Sequence, residues 1–487
     1  MYSKSKRILF SCALLLFIGA TIPPVREVDK NMLLMKVVMY ALQNHYDSKP
    51  IDDEFSKNAF QIYLKDLDPS KRFLIQEDIK KLEQFQYRID DEVNNGTYLF
   101  FDFSTKIIGQ RIKESETYYK EILAKPFNFK KNETIPTDAK NLPYAKNKKE
   151  LQEHWRKYLK YSTLTRVADL LSQQESYQKE LEKGNESVKD KIKPFEELEK
   201  EARQAVLKSH DEWFAYMSSR DVRDWRSSYL NAITMTYDPH TNYFAPKDKE
   251  NFDIQMSGKL EGIGAVLQTQ EGYIRIVRII PGSACWKQGD LEVGDKILKV
   301  GQAEAEPVDV VGMRQDDAVR LIRGKKGTEV RLTVRKKDES VVEIPIIRDV
   351  VEIEQTYAKS ALLKKKDGKT QVGYINLPRF YTDFKKGGRN SADDVKKELE
   401  KLNQENVQGL ILDLRNNGGG SLADVVKMAG YFIKKGPIVQ VKSRQGNPEV
   451  HQDTDKNVYF DKPVVILVNS YSASASEILA AALQDYG

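Results

Sequence analysis

The chain has 487 residues, room for about three domains at roughly 150 residues each. Hydrophobic residues make up 40% and charged residues 31%, which is enough for sizeable cores and excludes wholesale disorder or a polytopic membrane protein. Lys+Arg number 78 against 72 Asp+Glu, and a net charge of +6 leaves no electrostatic footprint for nucleic acid. Two cysteines exclude a disulfide framework and a thiolate zinc site, and no metal or cofactor is expected.

Lys4-Ser-Lys-Arg7 is a short basic stretch, and Ile8 to Ala20 is an apolar run broken only by Ser11, Cys12 and Gly19. The run falls short of the roughly 20 residues of a membrane span and fits a signal peptide over 1–20, cleaved after Ala20. An uncleaved anchor is the other reading. Export removes Cys12 and leaves Cys285 alone, so no intramolecular disulfide is expected.

Residues 24–250 read as a helical domain. Met32 to Leu42 and Ile75 to Ile89 carry apolar residues at helical spacing, and Asp68-Pro69-Ser70 makes a turn between them. Asn128 to Lys149, with Pro136 and Pro143, reads as a loop. The charge-rich stretch Ser172 to Met217 reads as solvated helix faces.

Residues 252–350 read as a small β domain with a helix or two. Tyr273 to Ile280, Lys296 to Val300, Val330 to Val334 and Val341 to Ile347 are strand-like, separated by Pro281-Gly282, Gly294-Asp295 and Gly327-Thr328. Asp316 to Ile322 is a helix. Cys285 and Trp286 are expected to be packing residues.

Residues 353–487 alternate strand and helix, the signature of an α/β fold. Strands are expected at Val372–Asn376, Val407–Leu414 and Pro463–Asn469, and helices at Ala392–Leu402, Leu422–Ile433 and Ile478–Asp485.

Two strand-to-helix junctions share one design. Gly418-Gly-Gly420 lets the backbone approach a ligand and aim N–H groups at it, as an oxyanion hole requires; a tight turn explains the same glycines. Ser472, Ser474 and Ser476 alternate with alanine at the second junction. Ser474-Ala-Ser-Glu477 fits a capping box, and a serine at a helix N-terminus is also placed to act as a nucleophile. Of five histidines only His451 lies in the α/β part, in a polar loop, so the base is either that histidine or a lysine whose pKa burial lowers. Asp485 follows Ser474 on the same helix face, within about 20°, but roughly 16 Å along the axis, too far to orient it directly.

Taken together these segments resemble the carboxyl-terminal processing peptidases, or tail-specific proteases, in their long periplasmic form. The resemblance rests on Tyr237-Asp-Pro-His-Thr-Asn-Tyr-Phe244, Leu260-Glu-Gly-Ile-Gly-Ala-Val-Leu267 and Val293-Gly-Asp-Lys-Ile-Leu-Lys-Val-Gly-Gln302. It rests also on Asp413-Leu-Arg-Asn-Asn-Gly-Gly-Gly420, Ser472-Ala-Ser-Ala-Ser-Glu-Ile478 and Gln484-Asp-Tyr-Gly487, all in the family's order. It implies a helical N-terminal domain, a PDZ domain and a crotonase- or ClpP-like spiral α/β protease core working by a Ser/Lys mechanism.

Carried over by position, Ser474 matches the nucleophile, Gly419, Gly420 and the Ala475 amide match the oxyanion hole, and Asp485 matches an acid important for activity. Leu260, Gly262, Ile263 and Gly264 match the loop that binds a substrate's terminal carboxylate, with Leu260 and Ile263 offering an apolar pocket. The family's general-base lysine falls beyond Gly487, so the core is expected to be incomplete and the chain to stop between nucleophile and base. The partners implied are proteins with exposed, non-polar C-termini and an adaptor lipoprotein docked on the helical region, in the periplasm, with no stable membrane span. A homologue that captures C-termini without cutting, and a crotonase-like acyl-transfer enzyme, are the competing expectations.

Overall fold

The computed structural model describes residues 30–136, 142–270, 272–366, 370–444 and 446–487. The signal peptide expected over 1–20 lies outside them. The chain divides into two units between Tyr243 and Phe244.

The first unit is helical. Its described helices are α1 (Lys30–Gln43), α2 (Asp53–Leu67), α3 (Gln76–Leu82), α4 (Ile89–Asn95), α5 (Leu99–Leu123), α6 (Lys148–Glu182), α7 (Phe195–Ser219) and α8 (Val222–Thr234). Local chemistry sets their ends. The Asp52 carboxylate accepts the Glu54 and Phe55 N–H groups at the start of α2, and Asn147 accepts from Glu150 at the start of α6. Large aromatics fill the core. The Tyr63 ring meets those of Phe100 and Tyr229 edge-on at 5.4 and 5.1 Å. In α6 and α7 the charge-rich sequence faces outward, while Trp155, Leu159, Val206 and Phe214 face the core.

Asp238, in the motif 237–244, organises a turn. It accepts the His240 N–H at 2.6 Å, the Thr241 N–H at 3.0 Å and His45 Nε2 at 2.6 Å. The Thr241 hydroxyl, which donates to it at 2.6 Å, and then the His240 N–H hold its carboxyl far below the usual range.

The second unit begins with α9 (Pro246–Ser257), which runs through residues 250–252, where the sequence changes character. Next come β1 (Lys259–Gly262), β2 (Ala265–Gln270), β3 (Tyr273–Ile279), α10 (Ala284–Gln288), β4 (Lys296–Gln302), β5 (Val308–Asp309), α11 (Gln315–Ile322), β6 (Glu329–Arg335), β7 (Val341–Ile347) and β8 (Asp349–Glu352). One sheet has the order β2-β3-β4-β6-β7, with β5 on β4, and β1 pairs separately with β8. Alternation along β6 buries Val330, Leu332 and Val334 on one face. Cys285 is buried and its thiol is pushed up by that burial. Trp286 departs from expectation: it is 57% exposed, because the short helix α10 turns it outward while Cys285 faces the core.

The α/β part follows with β9 (Lys359–Lys364), β10 (Gln371–Asn376), α12 (Ser391–Gln404), β11 (Leu410–Asp413), α13 (Leu422–Ala429), β12 (Gly436–Val441), β13 (Glu449–Asp453), β14 (Val464–Leu467) and α14 (Ala475–Tyr486). The sheet order is β14-β11-β10-β9, with β10, β11 and β14 parallel and β9 antiparallel. Helix α13 stops at Ala429 and not at Ile433: the chain tightens there into i−3 bonds, Tyr431 N–H to Met428 and Phe432 N–H to Ala429 at 3.0 and 3.1 Å, and the Tyr431 carbonyl accepts the Tyr459 and Phe460 N–H groups at 2.8 and 3.0 Å.

Candidate active site

Strands β11 and β14 are neighbours and end side by side, with Asp413 opposite Leu467. Each therefore delivers its loop to the same end of the sheet, where sites in open α/β folds gather. Side-chain amides stitch the loops together. The Asn416 N–H donates to Asn469 Oδ1 at 3.0 Å, and Asn469 Nδ2 donates to Asn416 Oδ1 at 2.9 Å.

The three serines separate by environment. Ser472 Oγ donates to the Leu414 carbonyl at 2.8 Å and accepts the Asn469 N–H at 2.9 Å. Ser476 is fully buried and donates to the Asn417 carbonyl at 2.8 Å. Ser474 is exposed, and no side-chain hydrogen bond caps the helix with its hydroxyl. Its backbone sits at φ +56° and ψ −116°, a conformation that costs a non-glycine residue on the order of 1–3 kcal/mol. Such a strained strand-to-helix turn presents a hydroxyl at the top of a sheet. Only the glutamate half of the capping box is a hydrogen bond: the Glu477 carboxylate accepts the Ser474 N–H at 2.6 Å.

The glycine loop lies against this turn. Gly419 has φ +99°, and a Cβ there would stand 2.7 Å from Ser474 Cβ and 3.1 Å from the Ala475 nitrogen. Gly420 has φ +145°, and a Cβ there would fall 2.1 Å from the Phe380 carbonyl oxygen. Neither position accepts a side chain. The Gly419 N–H is already spent, donating to Asn417 Oδ1 at 2.9 Å. The Gly420 and Ala475 N–H groups have no backbone or side-chain acceptor among the described residues. Gly419 thus contributes clearance, while Gly420 and Ala475 have amides to offer.

Asn417 holds these parts together, a role its place in the motif did not reveal. It is fully buried; its Nδ2 donates to the Leu377 carbonyl at 2.8 Å, and its own carbonyl accepts from the Ala473 N–H and Ser476 Oγ. Phe380 had no sequence signal at all, yet its backbone brackets the glycine loop, donating to Gly419 and accepting from Ser421. Beneath the loop, Arg415 and the Tyr374 hydroxyl bind Asp413, whose carboxyl is held down at about 2 chiefly by the Arg415 guanidinium.

The fold does not bring Asp485 to Ser474. It is exposed in the last turn of α14, roughly 16 Å along the axis, and forms no ion pair with a described residue. His451 lies in β13 opposite Val439 and makes no hydrogen bond to Ser474.

In the β domain, Leu260 lies in β1 opposite Val351 and lines a groove of about 770 Å3 with Ile254, Val350 and Phe384, among mostly charged residues such as Lys249, Asp253 and Asp383. Gly262 ends β1, opposite Asp349. The Ile263 side chain is buried in the PDZ core, and its carbonyl accepts the Cys285 N–H at 2.9 Å. Gly264 has φ +83°, and a Cβ there would meet Ser283 Cβ at 2.0 Å. The Ile263 and Gly264 N–H groups have no backbone acceptor among the described residues.

Among the described residues no helix is long and apolar enough to cross a membrane, and no cluster of His, Cys, Asp or Glu is placed to hold a metal.

A small β sheet followed by a parallel sheet with paired glycine and serine junctions fits the class of PDZ-bearing peptidases. Residues 251–335 match the PDZ domain, residues 371–487 match peptidase family S41, and residues 37–247 match the tail-specific protease N-terminal domain. The chain is similar along most of its length to the tail-specific, or carboxyl-terminal processing, proteases. It is 32% identical over 470 residues to a tail-specific protease of Haemophilus influenzae, covering 96% of this chain and 62% of that protein. It is 35% identical over 249 residues to the carboxy-terminal processing protease CtpA of Bacillus subtilis, covering 51% of this chain and 49% of that protein. This chain therefore spans about half to three-fifths of the length of these relatives. A PDZ domain of a carboxy-terminal protease from Vibrio cholerae, solved with a peptide, is 43% identical, covers 19% of this chain and 98% of that one, and has a TM-score of 0.19.

Proposed function

We propose that the protein is a periplasmic serine endopeptidase that captures exposed, non-polar protein C-termini in its PDZ domain and cuts with Ser474. The carrying observation is the contrast among three serines: Ser472 and Ser476 are bonded into the loops, and Ser474 stands exposed on a strained turn. Ser474 Oγ attacks an internal peptide carbonyl and loses its proton to a base, which we assign to a lysine outside residues 1–487. The tetrahedral oxyanion takes the Gly420 and Ala475 N–H groups, each such donor being worth about 10²–10³ in rate. Collapse expels the amine, which takes up the proton, and water then hydrolyses the seryl ester.

The Ile263 and Gly264 N–H groups are suited to a terminal carboxylate, and an edge strand beside them can add a peptide strand. Asp485 enters through the family resemblance; at the far end of α14 its role would be to hold a cation rather than to touch Ser474. The periplasmic assignment rests on the basic-then-apolar pattern over residues 4–20, and the helical unit is where an adaptor lipoprotein would dock.

The test is cleavage by the full-length protein of a substrate ending in a non-polar tail. Ser474→Ala should abolish cleavage and leave capture of the tail intact. Equal cleavage by both forms rejects Ser474, and capture without cleavage by the unaltered protein favours a binding module.

A further inference from the structure

The helix that flanks the peptide groove places a side chain across the groove's far end. Among the described residues strand β2 pairs only with β3, which makes it an edge strand. The Gly264 carbonyl faces β3, where it accepts the Ile280 N–H at 2.9 Å. With a period of two, the main-chain groups of Ala265, Leu267 and Thr269 face away from β3, toward the open edge. Thr269 demonstrates this: its N–H points outward and donates to Gln315 Oε1 at 3.0 Å, and its hydroxyl approaches the same oxygen at 3.4 Å. Gln315 is the first residue of α11, and the loop before α11 is pinned to the β2–β3 turn, the Gly312 N–H donating to the Gly272 carbonyl at 2.8 Å. Its carbonyl thus stands where the main-chain carbonyl of an added strand would otherwise sit.

The geometry points to Gln315 as a length stop for the peptide groove, and this rests on the PDZ reading proposed above. A ligand whose terminal carboxylate is held by the Ile263 and Gly264 amides runs along β2 and pairs through alternate residues. Its last residue lies at Ala265 and its third from the end at Leu267. The fifth from the end arrives at Thr269, where the donor is already occupied. Backbone recognition therefore ends at the fourth residue, and the protein reads a short tail irrespective of what precedes it. A short footprint suits a protein that accepts many C-termini, because only the final side chains are selected.

The experiment measures binding of free-carboxylate peptides of three to eight residues, all sharing one non-polar C-terminal sequence, to the full chain carrying Ser474→Ala. With Gln315 present, affinity should rise to four residues and then stay level. Gln315→Leu should release the Thr269 N–H, so that peptides of five or more residues bind about fivefold tighter, with shorter ones unchanged. Gln315→Glu keeps an acceptor at that point and should keep the plateau at four. Identical length dependence in the wild-type and leucine forms, or a wild-type affinity still rising at six residues, overturns the length stop. The PDZ reading fails separately, if no peptide of any length binds or if Gly264→Trp leaves tripeptide binding untouched.

Discussion

The helical unit and the paired junctions of the α/β sheet differ in which polar groups they bond and which they leave over. In the helical unit the buried ionic groups are answered, while Ser115 Oγ, His154 Nδ1 and Arg226 Nε are buried without a partner among the described residues. Arg111 Nε and Nη2 donate to Asp78 at 2.7 and 2.9 Å, and Glu92 accepts the Phe100 N–H at 2.7 Å and the Tyr229 hydroxyl at 3.0 Å. At the junctions the surrounding loops are equally well bonded, through Asn417, Ser472 and Ser476, but the Ser474 hydroxyl and the Gly420 and Ala475 amides are left over. The first pattern gives stability and the second spends it, since strain at Ser474 and unmet donors persist only where the surroundings fix them.

Substitutions in the two regions should therefore separate stability from chemistry. The largest expected effect is Asp78→Ala, which strands the buried Arg111 guanidinium with only Glu114 and should cost about 3–5 kcal/mol. Denaturant unfolding followed by tryptophan fluorescence reads it, because Trp155, Trp213 and Trp225 all lie in the helical unit. A loss below about 1 kcal/mol would mean that the pair is solvated. Next is Gly420→Ala, whose Cβ would strike the Phe380 carbonyl and displace the loop. Cleavage by the full-length protein should fall by about 10²–10³ through kcat, with denaturation of the helical unit unmoved. A change confined to KM would remove the Gly420 amide from the oxyanion role.

Burial of Glu92 raises its carboxyl to about 7, so the folded helical unit binds a proton that the unfolded chain has released above about 4.5. Stability therefore falls as pH rises between those values, by on the order of 2 kcal/mol from pH 5 to pH 8. Glu92→Gln should flatten that slope, and an unchanged slope would assign it to other groups. Smallest is Ser476→Ala, which removes one buried hydrogen bond to Asn417. It should cost about 1 kcal/mol of stability and reduce activity only modestly, in contrast to Ser474→Ala. Complete loss of cleavage in Ser476→Ala with stability retained would break the distinction between these serines.

Much of this architecture was legible in local pattern. Apolar spacing marks the helix over Met32–Leu42, strand-like composition marks β6, and the glycine and serine clusters mark the two junctions, because period and backbone freedom are properties of a few adjacent residues. What stayed hidden depends on residues far apart in the chain. Asn417 becomes a keystone only when Leu377, Ala473 and Ser476 surround it, and Phe380 matters only because its carbonyl closes on Gly420. Trp286 reads as core by composition and is exposed because a five-residue helix turns it outward. Helix α13 ends four residues early, its chain tightening into i−3 bonds where the distant Tyr459 and Phe460 donate to the Tyr431 carbonyl.

By itself the sequence determined that the chain holds a helical region, a PDZ domain and an α/β core, and that a serine and a glycine cluster each stand between a strand and a helix. Tertiary structure alone decided which serine is exposed, which glycine amide is already engaged, and which side chain stands across the PDZ edge. Hydrogen-bond donors and acceptors are fixed in kind by the sequence, but whether each is satisfied depends on partners that only folding brings within about 3 Å.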